Sequence, residues 1–165
     1  IKNLKLIIHA ADILINKNKI DNLIFVFIGS DEDNIKSMLK SLIRHYSLND
    51  HFIFIDHIYK IEEGINILDY LIAPSLNDSF GRTIIEAMLM RKSVLASNLG
   101  AHKEIIKNSY NGLLFENNPE DLSDKFLNLY NDSNLRDLLI KNAYIDSKLW
   151  INPSKINKKI IEFYQ

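Results

Sequence analysis

The stretch YLIAPSLNDSFGRTIIEAM, residues 70–88, passes from a short apolar run through a polar loop into an amphipathic pattern. Tyr70 to Ala73 read as a strand that Pro74 ends, and Gly81 supplies a turn or a close backbone approach that a side chain would block. From about Arg82 the apolar residues recur at helical spacing, which predicts a helix over 82–90. Strand, loop and helix in that order form the repeating unit of a parallel α/β sheet.

The same unit recurs on both sides. LIFVFIGS (23–30) and HFIFID (51–56) are short continuous apolar runs rich in β-branched and aromatic residues, as strands buried on both faces are. Helical patterns follow them, from about Asp31 to Tyr46 and in IEEGINIL (61–68). Downstream come the strand SVLAS (93–97), a helix near 101–107 and the strand GLLF (112–115). Leu4, Ile7, Ile8, Ala11 and Leu14 place a helix at the start, stopped by the polar residues 16–19. Three helices close the chain near 119–130, 134–148 and 153–164, with Asp132 or Ser133 as a cap and Pro153 as an opener. The prediction is a single α/β domain, a Rossmann-like doubly wound parallel sheet with helices on both faces. Its ligands sit at the carboxyl ends of the strands.

Composition narrows the partners. Twenty Lys and Arg against twenty-one Asp and Glu leave no field of one sign to recruit nucleic acid or an anionic membrane. The absence of cysteine removes thiolate chemistry and fits a reducing, cytoplasmic compartment. Asn77 and Asn131 match a glycosylation acceptor triplet, which without a secretion signal carries little weight. His9, His45, His51, His57 and His102 show no paired metal spacing, although His57 follows a strand and can line the cleft. Ser30 to Asp33, SDED, reads either as a metal clamp or as a helix cap with acids in the first turn, the second being electrostatically sound. Gly29 follows a strand and is a candidate binding residue, yet one glycine is not a dinucleotide fingerprint.

The chemistry gathers at the loop after Ala73. The first amides of the following helix, those of Arg82, Thr83 and Ile84, lack intrahelical acceptors and offer an anion site suited to a diphosphate. Arg82 is a cation at the positive end of a helix dipole, so either a bound phosphate or a carboxylate such as Glu86 has to offset it. Asp78 and Glu86 can face one pocket. Such a pair also serves in glycoside hydrolysis, and spacing alone leaves both readings open.

With these residues in view, PSLNDSFGRTIIEAM, SVLASNLGAHKEII and NGLLF resemble the nucleotide-sugar half of the family-four glycosyltransferases, two-domain GT-B enzymes that are mostly retaining. KNLKLIIHAADIL and WINPSKINKKIIEFY resemble its first and closing helices, so the likeness spans residues 1–165. It implies a donor-binding domain for a nucleoside-diphosphate sugar, with no cofactor or metal. Glu86 would then bind the ribose hydroxyls. Asp78 stands where the family usually has glutamate and would reach the donor sugar with a carboxylate one methylene shorter. The amides beyond Phe80 and Gly81 would hold diphosphate or sugar, Ile58 would lie near the base, and Lys2 would neutralise diphosphate.

The resemblance also implies an amino-terminal acceptor domain outside the chain, through which any membrane contact would pass, and an inactive fragment on its own. A strand before Ile1 would lie centrally in a 3-2-1-4-5-6 order. Without it, the strands at 23–30 and 70–75 either close up directly or leave a marginal domain. The competing classes are a nucleotide-sugar-binding module without transfer activity and, ranked last, a glycoside hydrolase.

Overall fold

The computed structural model describes residues 2–29, 35–56 and 58–150. Within them the chain alternates as expected. Helix α1 (Leu4–Asp12) runs on into a π-helical turn at Ile13–Lys17 and is followed by β1 (Phe25–Ile28), α2 (Ile35–His45) and β2 (Phe52–Ile55). Then come α3 (Ile61–Asn66), β3 (Tyr70–Ala73), α4 (Arg82–Leu89), β4 (Ser93–Ser97), α5 (His102–Ile105) and β5 (Leu113–Phe115). Helices α6 (Pro119–Asn131) and α7 (Ser133–Trp150) complete the described chain. The SDED stretch, His57 and the helix foreseen at 153–164 lie outside the described residues.

All strand pairing is parallel. β1 pairs with β2, and β3-β4-β5 form a second ladder in which Tyr70 to Ala73 match Ser93 to Ala96. No ladder joins β1 to β3 among the described residues, so these two strands do not close up directly. What holds the two ladders together is α1, whose two apolar faces serve different clusters. Leu6, Ala10 and Leu14 pack with Leu95, Phe115, Leu122, Phe126 and Leu129, while Ile8, Ala11 and Ile15 pack with Leu39, Ile43 and Phe52. A helix apolar on two sides belongs between layers rather than at the surface.

β4 shows why the sheet is parallel and central. All five of its residues are buried. Leu95 enters the cluster under α1 and α6, whereas Val94 and Ala96 enter the one formed by Ile84, Ile85, Met88, Ile105 and Ile106. Alternate residues thus meet helices on opposite faces, the condition under which a strand reads as an unbroken apolar run.

Helix ends follow local chemistry. Asn118 accepts from the Asp121 amide at 2.7 Å with Pro119 opening α6, and Asp132 accepts from the Leu135 amide at 2.9 Å to cap α7. No helix among the described residues is long and apolar enough to cross a membrane.

Candidate donor site

Strands are parallel within each ladder, so the segments after β3, β4 and β5 lie at one end of theirs, as those after β1 and β2 lie at one end of the other. Gly29 follows β1 there with φ of 146°, its amide donating to the Ile55 carbonyl at 3.0 Å. Ile58 lies beyond β2 and packs towards Gly64 of α3, next to Ile28. Lys2 is exposed just before α1, and its neighbour Asn3 donates to Asn117 Oδ1 at 2.7 Å, which ties the start of α1 to the carboxyl end of β5. Gly29 and Ile58 thus lie at the carboxyl ends of β1 and β2, and Lys2 beside the residue that ties α1 to the segment after β5.

That loop is organised by Asp78. Its Oδ1 accepts from the amides of Gly81 at 2.9 Å and Phe80 at 3.1 Å, so these two amides serve the protein's own carboxylate rather than facing the cleft. Ile84 departs from expectation in the same way, since its amide donates to the Gly81 carbonyl at 3.0 Å in the tight first turn. The amides of Arg82 and Thr83 have no protein acceptor among the described residues. Both residues are exposed, whereas the next turn buries Ile84, Ile85, Ala87 and Met88 against the sheet and leaves Glu86 half-buried. Phe80 is half-exposed beside them.

Gly81 is the hinge of this arrangement. It has φ of 65° and ψ of 35°, and a Cβ there would sit 2.7 Å from Ile105 Cδ1. Both backbone and packing require glycine.

Electrostatics single out two groups. The Asp78 carboxyl is held below its ordinary range, first by the Gly81 amide and against the cost of its partial burial, with the Phe80 amide and His102 adding to the effect. No salt bridge joins Arg82 to Glu86 among the described residues. Arg82 therefore stands at the positive end of α4 unpaired with Glu86, and the carboxylate set at that end is Asp78, through the Gly81 and Phe80 amides.

The β4–α5 loop closes the far wall. The Gly100 φ of 53° lets this loop approach Asp78, whose carbonyl accepts from the Ala101 amide at 3.3 Å. His102 is buried at 1% exposure, with Nδ1 2.9 Å from Ser97 Oγ and Nε2 3.6 Å from Asp78 Oδ2. Ser97 Oγ donates to the Ser75 carbonyl. Sequence reading treats His102 as one of five scattered histidines. The signal that could have found it is Ser97, a hydroxyl closing the buried strand β4 five residues earlier.

The described residues form a parallel α/β domain with Asp78 in the loop after β3 and Glu86 within the helix that follows. The chain belongs to the glycosyl transferases group 1 family, whose model matches residues 1–146. It is 30% identical over 115 residues to the putative glycosyltransferase EpsD of Bacillus subtilis, covering 70% of this chain and 29% of that protein. The C-terminal domain of a glycosyl transferase group 1 family protein (LpcC) from Francisella tularensis superposes with a TM-score of 0.79 at 30% identity, over 89% of this chain and 78% of that one. Anabaena Alr3699/HepE, solved in complex with UDP, has the same fold with a TM-score of 0.86 at 21% identity, over 99% of this chain and 45% of that one. The chain spans less than half the length of the curated relatives it matches. The fold is thus that of the C-terminal half of GT-B glycosyltransferases.

Proposed function

We propose that this domain binds a nucleoside-diphosphate sugar and presents its anomeric carbon for transfer, with retention of configuration, to an acceptor held by a domain outside the chain. The observation that carries the reading is the head of α4, where the Arg82 and Thr83 amides have no protein acceptor and Arg82 has no salt bridge among the described residues. A diphosphate meets that site with two charges and several acceptor oxygens. Glu86, half-buried one turn further, takes the ribose hydroxyls. Asp78, fixed by the Gly81 and Phe80 amides, keeps Oδ2 for the donor sugar.

In this mechanism charge that develops on the departing diphosphate is met by oriented amides and Arg82, with Lys2, exposed before α1, as the second cation that the family resemblance implies. The protein's contribution is positioning and charge stabilisation. The relative solved with UDP supports the choice of probe. The fraction of its relatives' length that the chain covers supports an acceptor half elsewhere, and with it an inactive isolated chain. The proposal extends to hexosyl transfer in cytoplasmic assembly of envelope polysaccharide or glycolipid. Calorimetric titration with UDP, GDP and ADP, and then with their sugars, tests it. Saturable binding of one nucleotide, lost in Glu86→Ala while the circular dichroism spectrum is unchanged, is the expected result. A folded protein that binds none of them refutes the donor reading.

A further inference from the structure

The nitrogen of His102 nearest the site is unaccounted for by packing. Ser97 has one hydroxyl proton, and it is given to the Ser75 carbonyl. Towards His102 the hydroxyl can therefore only accept, which makes Nδ1 the donor and fixes the neutral tautomer with its lone pair on Nε2. That atom is buried without a hydrogen-bond partner, 3.6 Å from Asp78 Oδ2. The distance is too long for a hydrogen bond, yet a shift of under about 1 Å would make one. A carboxylate facing an imidazole lone pair is repelled, whereas one facing a second N–H gains a charge-assisted bond.

We propose that His102 is a positioning residue for the donor site: carrying a proton on Nε2, it draws Asp78 Oδ2 into a fixed orientation, and Ser97 dictates which nitrogen does so. Asp78 then has an anchor on each oxygen, the Gly81 and Phe80 amides on one and His102 on the other. The remaining lone pairs keep a single direction. Asp78 is the charged group in contact with the imidazole among the described residues. Helix α4, packed on α5, carries Arg82 and Glu86, and α5 itself carries Lys103 and Glu104.

The inference rests on the donor reading only for its effect on ligand, so its test has a ligand-free arm. By 15N NMR, His102 Nδ1 is protonated throughout, and Ser97→Ala abolishes that preference. By 13C NMR, the Asp78 carboxyl titrates at higher pH in His102→Gln than in the unmodified protein. An Asp78 titration indifferent to His102→Gln, or a His102 ring protonated on Nε2 alone, overturns the proposal. In the second arm, UDP-glucose and UDP affinities are measured between about pH 5 and 8, where imidazoles titrate. The preference for UDP-glucose over UDP changes with pH in the unmodified protein, and His102→Gln flattens that profile and weakens UDP-glucose about tenfold. A merely structural histidine would lower both affinities equally at every pH, and that result also overturns the proposal. Should the His102→Gln chain not fold, Ser97→Ala carries the same comparison. If the unmodified protein binds no UDP-glucose while the ligand-free arm behaves as stated, the donor reading falls and the Asp78–His102 coupling stands.

Discussion

Replacing Gly81 by alanine tests whether the β3–α4 turn is fixed by backbone as well as by space. The residue has φ of 65°, which costs an alanine roughly 1–2 kcal/mol. The new Cβ would fall 2.7 Å from Ile105 Cδ1, the free end of a buried side chain, so accommodation is a rotation within a packed cluster. Overpacking costs about 1–3 kcal/mol, and a movable methyl places this case near the lower figure. Loss of chain freedom in the unfolded state returns about 0.4–1 kcal/mol. The net expectation is a destabilisation of about 2 kcal/mol, equivalent to a fall of roughly 4–8 °C in Tm for a chain of this size. Urea denaturation followed by circular dichroism measures it. Gly64→Ala is the internal control, because its Cβ meets only the ends of Ile28 and Ile58, both at 3.0 Å, in an ordinary helical backbone. It should stay within about 1 kcal/mol, since alanine's helix propensity offsets the crowding. If Gly81→Ala proves no more destabilising than Gly64→Ala, the argument from backbone conformation is wrong.

Three further outcomes follow from the same geometry. Asp78 has a lowered pKa in the folded protein, so its contribution to stability is complete above about pH 4 and is lost as pH falls through the lowered value. Asp78→Asn should therefore flatten the acid limb of a stability-against-pH curve, and an unchanged limb would contradict the carboxylate's role. Asn111→Ala should cost about 2–3 kcal/mol by denaturation, because Asn111, 1% exposed, accepts from the Lys107 amide at 2.8 Å and donates to Ile105 and Asp146. Lys107 is raised by its bond and charge interaction with Asp146, so that pair's contribution is present below the ordinary lysine range and disappears as pH rises through the raised value. Lys107→Met should remove the alkaline component, as thermal melts between pH 9 and 11 would reveal.

The alternation of strands and helices was legible because the strands are short apolar runs ended by Gly, Pro, Ser or an acidic residue, and the longer helices carry their own spacing. Asp132 was readable as a cap for the same reason, since capping depends on residues three apart. Some of the hydrogen bonds around the site are not local. Asn3 meets Asn117 across 114 positions, and Ser97 meets the Ser75 carbonyl across 22, distances over which periodicity says nothing. Within the β3–α4 loop, composition revealed an anion site but not the allocation of its amides. Asp78 takes those of Phe80 and Gly81, and a tight first turn takes that of Ile84, leaving Arg82 and Thr83. His102 escaped notice because its meaning depends on the single proton of Ser97, a matter of hydrogen-bond inventory rather than of motif.

Among the described residues β1 and β3 each have a flank outside any ladder, with a consequence for exchange with solvent. Amides of β4 are enclosed by ladders on both sides and should be among the slowest to take up deuterium, while those on the open flanks of β1 and β3 should be fast although both strands sit well inside the chain. Among the described residues those flanks form a seam of backbone donors and acceptors outside any ladder, and an extended segment that paired there would protect it. The strand that delivers the chain to Asp78 is thus one whose own protection depends on what occupies that seam, and a deuterium map would register its filling directly as a slowing of β3.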